Sequence, residues 1–518
     1  FDVSLDYFTR KLQLSGGFYM SVLDNAAVAM NTTPGQNSLT STAGPITSPW
    51  ISLPPSNRAQ QWDLSGAYNF TELTRLSFKA SKETATQDAP FIRPFGAASG
   101  TTTYAQLNPP GVPYAAGNNN GSLGGLVETT AYFAQLTTKL STNLNMLASW
   151  RYEDRNDKTP QRYYLDSVAS TEFPNGLQNP LESHKINRGK LEANYRLPAG
   201  YSVTGGFDYD KKETPDAYRD FVTDQTVRVE LRKALNETLN GKVMLAQSNR
   251  TGGDWHLLDG TPAAGSTTFS TTTGVAAPLQ FVDRKRDKVK FMADWSPVDP
   301  LSLQFFYEYG RDAYNFTPPS GNPQAGMTDG RTDLFGFDAA YRVSDNWKVN
   351  GFYTYSQNKT HQNEVYTPRI NGVDNNCTGT TITTSCVPWQ TDLNMSGEVV
   401  GLGTSGTVAR WLFGAQYLYS VDRTKYGITF DPNLYGAGNS VPAGAGVLPD
   451  TVYSINRLKL SGTYAVTKAT RIRLDYIYDQ RTVDDYTWTQ WSFTDGTKVN
   501  VSPTQTSQLV GATMIHTS

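Results

Sequence analysis

RTDLFGFDAAYRVSDNWKVNGFYTYS, residues 331–356, reads as two extended arms joined by a tight turn. Phe335, Phe337, Ala339, Tyr341 and Val343 share one side, and Asp338 and Arg342 lie on the other. After Ser344-Asp345-Asn346 the chain returns with Trp347, Val349, Gly351, Tyr353 and Tyr355 on one face, against Lys348, Asn350, Thr354 and Ser356. Strand side chains alternate between faces, so this period of two describes a hairpin with one apolar and one polar side.

The pattern recurs on both sides of that stretch. In 188–195, Gly189, Leu191, Ala193 and Tyr195 oppose Arg188, Lys190, Glu192 and Asn194; Tyr201, Val203, Gly205, Phe207 and Tyr209 form the return arm. In 288–295, Val289, Phe291, Ala293 and Trp295 oppose Lys288, Lys290 and Asp294, with Leu301, Leu303, Phe305, Tyr307 and Tyr309 returning. In 457–464, Leu458, Leu460, Gly462 and Tyr464 oppose Arg457, Lys459, Ser461 and Thr463, and Ile472, Leu474, Tyr476 and Tyr478 return. Turns such as 197–200, 296–300 and 466–468 are short. Gly/Pro/Asn/Thr-rich connections at 24–57, 87–125, 157–183, 252–283, 359–390 and 425–451 are long, with 214–219 a short exception. Short turns at one end and long loops at the other are the plan of an outer-membrane barrel, with the short turns periplasmic and the long loops extracellular. Tyr68, Phe70, Tyr195, Trp295, Tyr341, Trp347 and Tyr464 sit beside the turns, where amphipathic rings settle at headgroup level.

Composition agrees. The 518 residues are 38% hydrophobic but 12% aromatic, with 29 Tyr and 10 Trp. No run approaches the ~18 apolar residues of a spanning helix. The mean hydropathy of −0.48 is compatible with spanning strands, because only every second residue meets lipid. The balanced charge, −2 overall, gives no reason to expect nucleic acid. About nineteen arms are legible. Single-chain bacterial barrels have even strand numbers, so the expectation is one all-β domain over 1–518: a large antiparallel transmembrane barrel of roughly 20–26 strands, N-terminally incomplete here. The chain opens at Phe1 inside an arm, with no initiator Met or signal segment.

A ring of this size is too wide for side chains to fill. The polar face then lines a lumen holding water or a partner. Arg188, Lys190, Glu192, Arg228, Glu230, Arg232, Lys288, Lys290, Arg457, Lys459, Arg471 and Arg473 are the candidate lumen-facing partner contacts. Basic residues lead on that face, which suits either electrostatic docking of a partner or a solvated, mildly anion-preferring pore. Catalysis finds little support. His184, His256, His361 and His516 have no metal-ligand spacing, no nucleophile elbow, phosphate loop or zinc-helix motif occurs, and Asp484-Asp485 reads as a solvated loop edge. No catalytic, cofactor-binding or metal residues are expected. Cys377 and Cys386, in NNCTGTTITTSC, are expected to form a disulfide within one loop. Mass spectrometry without reduction is predicted to recover a linked peptide; free thiols at both positions would contradict it.

DQTVRVELRKALNETLNGKVMLAQSNRTGGDW, residues 224–255, resembles the MtrB/PioB family of decahaem-associated outer-membrane proteins: an arm carrying ELR, a short turn, then an arm ending Ser-Asn-Arg before a long loop. The opening FDVSLDYFTRKLQLSGGFYMSVLDN, the hairpin at 188–212 and LKLSGTYAVTKATRIRLDYIYDQR at 458–481 are similar to it too. The resemblance implies a barrel larger than the arms counted here. It implies a lumen threaded by a periplasmic multihaem c-type cytochrome, and a second multihaem cytochrome at the extracellular mouth. The barrel would be an insulating sleeve of a trans-outer-membrane electron conduit, with haem carried by the partner and none in this chain, which has no CxxCH. The CxxC segment that members often carry near the N-terminus does not occur here. The alternative expectation is a general or substrate-specific diffusion porin with an open polar lumen.

Overall fold

The computed structural model describes residues 1–26, 50–89, 122–161, 181–215, 219–255, 279–315, 326–366, 387–429, 448–485 and 504–516, with short pieces at 29–31, 40–41, 44–45, 106–107, 163–164, 177–179, 369–370 and 373–374. Nineteen strands form one antiparallel sheet in which chain neighbours are sheet neighbours. They are β1 (Asp2–Phe8), β2 (Leu12–Leu23), β3 (Asn57–Thr71), β4 (Thr74–Gln87), β5 (Gly125–Lys139), β6 (Leu144–Asp157), β7 (His184–Arg196), β8 (Tyr201–Glu213), β9 (Phe221–Ala234) and β10 (Leu239–Gly252). There follow β11 (Asp283–Val298), β12 (Leu301–Asn315), β13 (Gly326–Ser344), β14 (Trp347–Tyr366), β15 (Val387–Val408), β16 (Trp411–Thr429), β17 (Thr451–Ala465), β18 (Thr470–Asp484) and β19 (Thr504–His516). Among the described residues β1 pairs with β2 alone and β19 with β18 alone, so the sheet is not closed.

The register reproduces the expected hairpins. Phe337 faces Tyr353 across β13–β14, Leu191 faces Phe207 across β7–β8, and Leu458 faces Tyr478 across β17–β18. Nine turns of two to four residues lie at one end, and connections of seven residues or more lie at the other. In the β7–β8 turn, Ala199 and Gly200 both take positive φ, 59° and 77°. The two longest strands, β14 with 20 residues and β15 with 22, extend into the stretch read as a loop. Away from lipid the outer ends lose their apolar face, so alternation no longer marks them although the backbone ladder continues.

No soluble core exists among the described residues, where only Ala67, Val222, Phe281, Val282 and Val421 are buried hydrophobics. Large apolar side chains stand outward instead, with Val227, Leu245 and Leu402 more than half exposed at 57%, 56% and 58%. An apolar face this continuous needs hydrocarbon as its solvent. Its lower edge is the expected aromatic belt: Tyr68 packs on Phe70 at 5.0 Å, and Trp411 on Tyr464 at 4.9 Å. A second girdle completes it. Tyr152, Tyr209, Tyr309, Tyr355, Tyr419 and Tyr478 each stand eight residues above the first residue of β6, β8, β12, β14, β16 and β18. Eight residues at about 3.4 Å rise, tilted by about 40°, span ~21 Å, close to the apolar band of an outer-membrane barrel. Ion pairs begin on the same face at or above this height: Lys211 to Glu213 at 2.7 Å and Arg331 to Asp333 at 2.8 Å.

Candidate functional site: the lumen wall

The strand register extends the lumen face across neighbouring strands, because side chains opposite one another in a ladder point the same way. Gly206 faces Glu192 and Arg228; Ala246 faces Arg228 and Lys288; Glu308 faces Lys290. The expected residues of β7, β9, β11, β17 and β18 therefore all stand on one face, opposite the apolar band.

Once the strands are in register, the basic excess read along single arms is largely neutralised. Arg188 Nε donates to Asp210 at 2.8 Å. Lys190 and Arg228 converge on Glu192 at 3.2 Å and 2.5 Å, and Arg228 also grips Asp208. Lys242 pairs with Glu230 at 2.7 Å. Lys288 and Lys290 share Glu308 at 2.6 Å and 3.7 Å. On the far side of the sheet Arg457 Nε donates to Asp479 at 2.7 Å, and Arg473 to Asp475 at 2.9 Å. Of the twelve candidates, only Arg232, Lys459 and Arg471 form no ion pair among the described residues.

The network reaches further up than the expected residues. Asp224 accepts from Arg284 at 2.6 Å and Arg250 at 3.3 Å, while Arg286 holds Asp312 through two 2.6 Å bonds. The available signal was the spacing of Arg284, Arg286, Lys288 and Lys290, four cations at alternate positions of one arm. Arg228 is the joint of the lower network, bridging β7 and β8 from β9. Arg228→Met is expected to leave Glu192 and Asp208, diagonal neighbours across β7–β8, with Lys190 as their remaining cation. Discounted for water in the lumen, the loss is ~1–2 kcal/mol in urea unfolding. Adding Glu192→Gln should recover part of it.

Between these charged sectors the wall is uncharged and low where Asn350, Phe352, Thr354, Ser356 and Asn358 of β14 face Gly403, Gly401, Val399, Gly397 and Met395 of β15. Phe306 lies across Gly336, where an added Cβ would come within 2.1 Å of the ring, and Phe352 lies across Gly401 in the same way at 2.1 Å. Glycine there lets a ring from the next strand lie flat on the sheet rather than stand into the lumen.

Asp485 is not a solvated loop edge: it is buried and accepts the Tyr453 hydroxyl at 2.7 Å, because β17 places that tyrosine beside it. His361 Nδ1 lies 2.7 Å from Asp392, and His184 lies 3.5 Å from Glu153. No group of three or more potential metal ligands occurs among the described residues. Cys377, Cys386 and His256 lie outside the described residues.

Residues 1–517 match the model of the outer membrane beta-barrel porin family MtrB/PioB. The chain belongs to the MtrB/PioB family. It is an integral outer-membrane β-barrel protein. It is 22% identical over 486 residues to the outer membrane protein MtrB of Shewanella baltica (strain OS185), covering 92% of this chain and 61% of that MtrB/PioB relative. The chain thus spans less than two thirds of that relative's length. The FrpB iron transporter of Neisseria meningitidis is similar at a TM-score of 0.45 and 10% identity, over 99% of this chain and 79% of that one. The copper transporter OprC is similar at 0.47 and 12%, over 92% and 72%. These two likenesses carry no functional weight.

Proposed function

We propose that this barrel is the sleeve of an electron conduit through the outer membrane. A periplasmic multihaem c-type cytochrome occupies the lumen, and a second multihaem cytochrome sits at the extracellular mouth. The haem belongs to the partners, and the barrel has no catalytic role. Family membership supports this reading, and one observation carries it: the lumen wall is polar but internally neutralised. Such a wall can lie against a protein surface without forcing unpaired charges together. A bare cytochrome in the membrane would place its polar groups in hydrocarbon, at several kcal/mol for each unsatisfied group. The sleeve removes that cost and fixes position, while the cofactors of the partner carry the redox chemistry.

The diffusion-porin reading rests on the same polar lumen, and conductance separates the two. The native complex in a planar bilayer is expected to be silent, and the barrel stripped of its partner to conduct. A large steady conductance from the native complex contradicts the sleeve.

A further inference from the structure

We propose that the periplasmic mouth is a cationic docking ring for an acidic protein surface, and that its occupant is the periplasmic portion of the protein that fills the lumen. This rests on the sleeve reading and adds the chemistry of the contact. Taking the nine short turns with two residues on either side, the rim holds ten Lys or Arg against four Asp or Glu. The whole chain has 45 basic and 47 acidic residues, so the basic excess is a property of this end.

Two further observations point to a protein rather than to lipid. First, none of the ten cations forms an ion pair among the described residues, whereas the wall above is mostly paired. Arg75 donates to Gln13 and Lys233 caps the Tyr201 ring, but neither meets a carboxylate. Secondly, the register sets Arg75, Lys139, Arg196, Lys348 and Arg471 on the lumen face, and Lys233 on the lipid face. Those five are exposed and edge the opening. Cations serving phospholipid headgroups belong on the outside of the barrel, beyond the aromatic belt. A ring of uncompensated charge at a mouth attracts an oppositely charged surface over a Debye length and orients it on entry. The neutralised wall then lets it pass.

The test replaces Arg75, Lys139, Arg196 and Lys348 together with Glu, and in a second variant with Gln, each expressed in the native host. Folding is checked by heat-modifiability on gels. The haem-to-barrel ratio of the purified complex is the readout. The Glu variant is expected to fall by roughly tenfold or more, since like-charge contacts cost several kcal/mol. The Gln variant should fall less, and its difference from the wild type should shrink as salt screens the attraction that the wild-type ring exerts. Reversing Lys285, Arg311 and Lys359, on the lipid face of the opposite, outer end, should leave the ratio of lumen cytochrome to barrel unchanged. A folded rim variant, Glu or Gln, with an unchanged haem ratio overturns the docking ring and leaves the sleeve standing. If that variant instead loses retention on phosphatidylglycerol vesicles at constant haem, the ring serves lipid and the proposal falls. A wild-type barrel free of haem at every salt concentration removes the sleeve itself.

Discussion

Arginine in place of Leu245 is expected to stop the barrel from assembling in the membrane. Leu245 lies midway up β10, faces Val229 and Val289 on the neighbouring strands, and is more than half exposed on the apolar face. A guanidinium there meets hydrocarbon with no acidic partner on its face. The expected loss is ~2–4 kcal/mol at the midplane, shrinking toward either girdle. Leu460, which faces Tyr476 and Ala415 between the belts, should behave alike. Ser461, one residue on and facing Asp475, points into the lumen and should accept arginine with little effect. Folding into liposomes, scored by heat-modifiability, measures all three. Equal tolerance at Leu460 and Ser461 would mean that the faces have been assigned the wrong way round.

The second large effect is expected at Arg219. Its buried guanidinium ties three chain segments at the outer rim. It donates to the Gly253 carbonyl at 2.8 Å, to the Phe281 carbonyl at 2.8 Å and to Asp283 at 2.6 Å, and it lies 4.9 Å from the Trp255 ring. Arg219→Ala strips donors from two backbone carbonyls and one carboxylate at once. Only the Phe281 bond is fully buried and Asp283 keeps 39% of its side chain exposed, so the total should be ~1–3 kcal/mol. Arg219→Lys should restore only part, because one ammonium cannot reproduce the guanidinium fork. The check is urea unfolding in micelles, with the midpoint lowered and the slope unchanged. A midpoint shift within error for Arg219→Ala would show that the outer ends hold together without this clamp.

The membrane-spanning part of the fold was legible because lipid demands an apolar residue at every second position, and the chain records that demand directly. Phe335, Phe337 and Tyr341 reveal their strand before any partner is known. The inner belt was legible for a similar reason, since turns mark its height. The outer girdle was not. It is one tyrosine on each of six strands at a fixed height, and Tyr209 and Tyr355 become comparable only once their strands are aligned. The lumen chemistry was half legible. Alternation places Arg228 on the polar face, but its partner Glu192 lies 36 residues away. That meeting depends on the lengths of the β7–β8 turn and the β8–β9 connection, so charge read arm by arm overstates what the assembled wall exposes. The cationic mouth was hidden differently: eight of the nine turns add a cation or two, and the ring exists only when the turns stand together.

The central claim is that this barrel encloses a haem protein, and a visible absorption spectrum tests it most directly. The protein is purified gently in detergent from its native outer membrane, without stripping partners. The account predicts a strong Soret band and a haem-staining partner at fixed stoichiometry to the barrel. A colourless, folded and heat-modifiable barrel contradicts it.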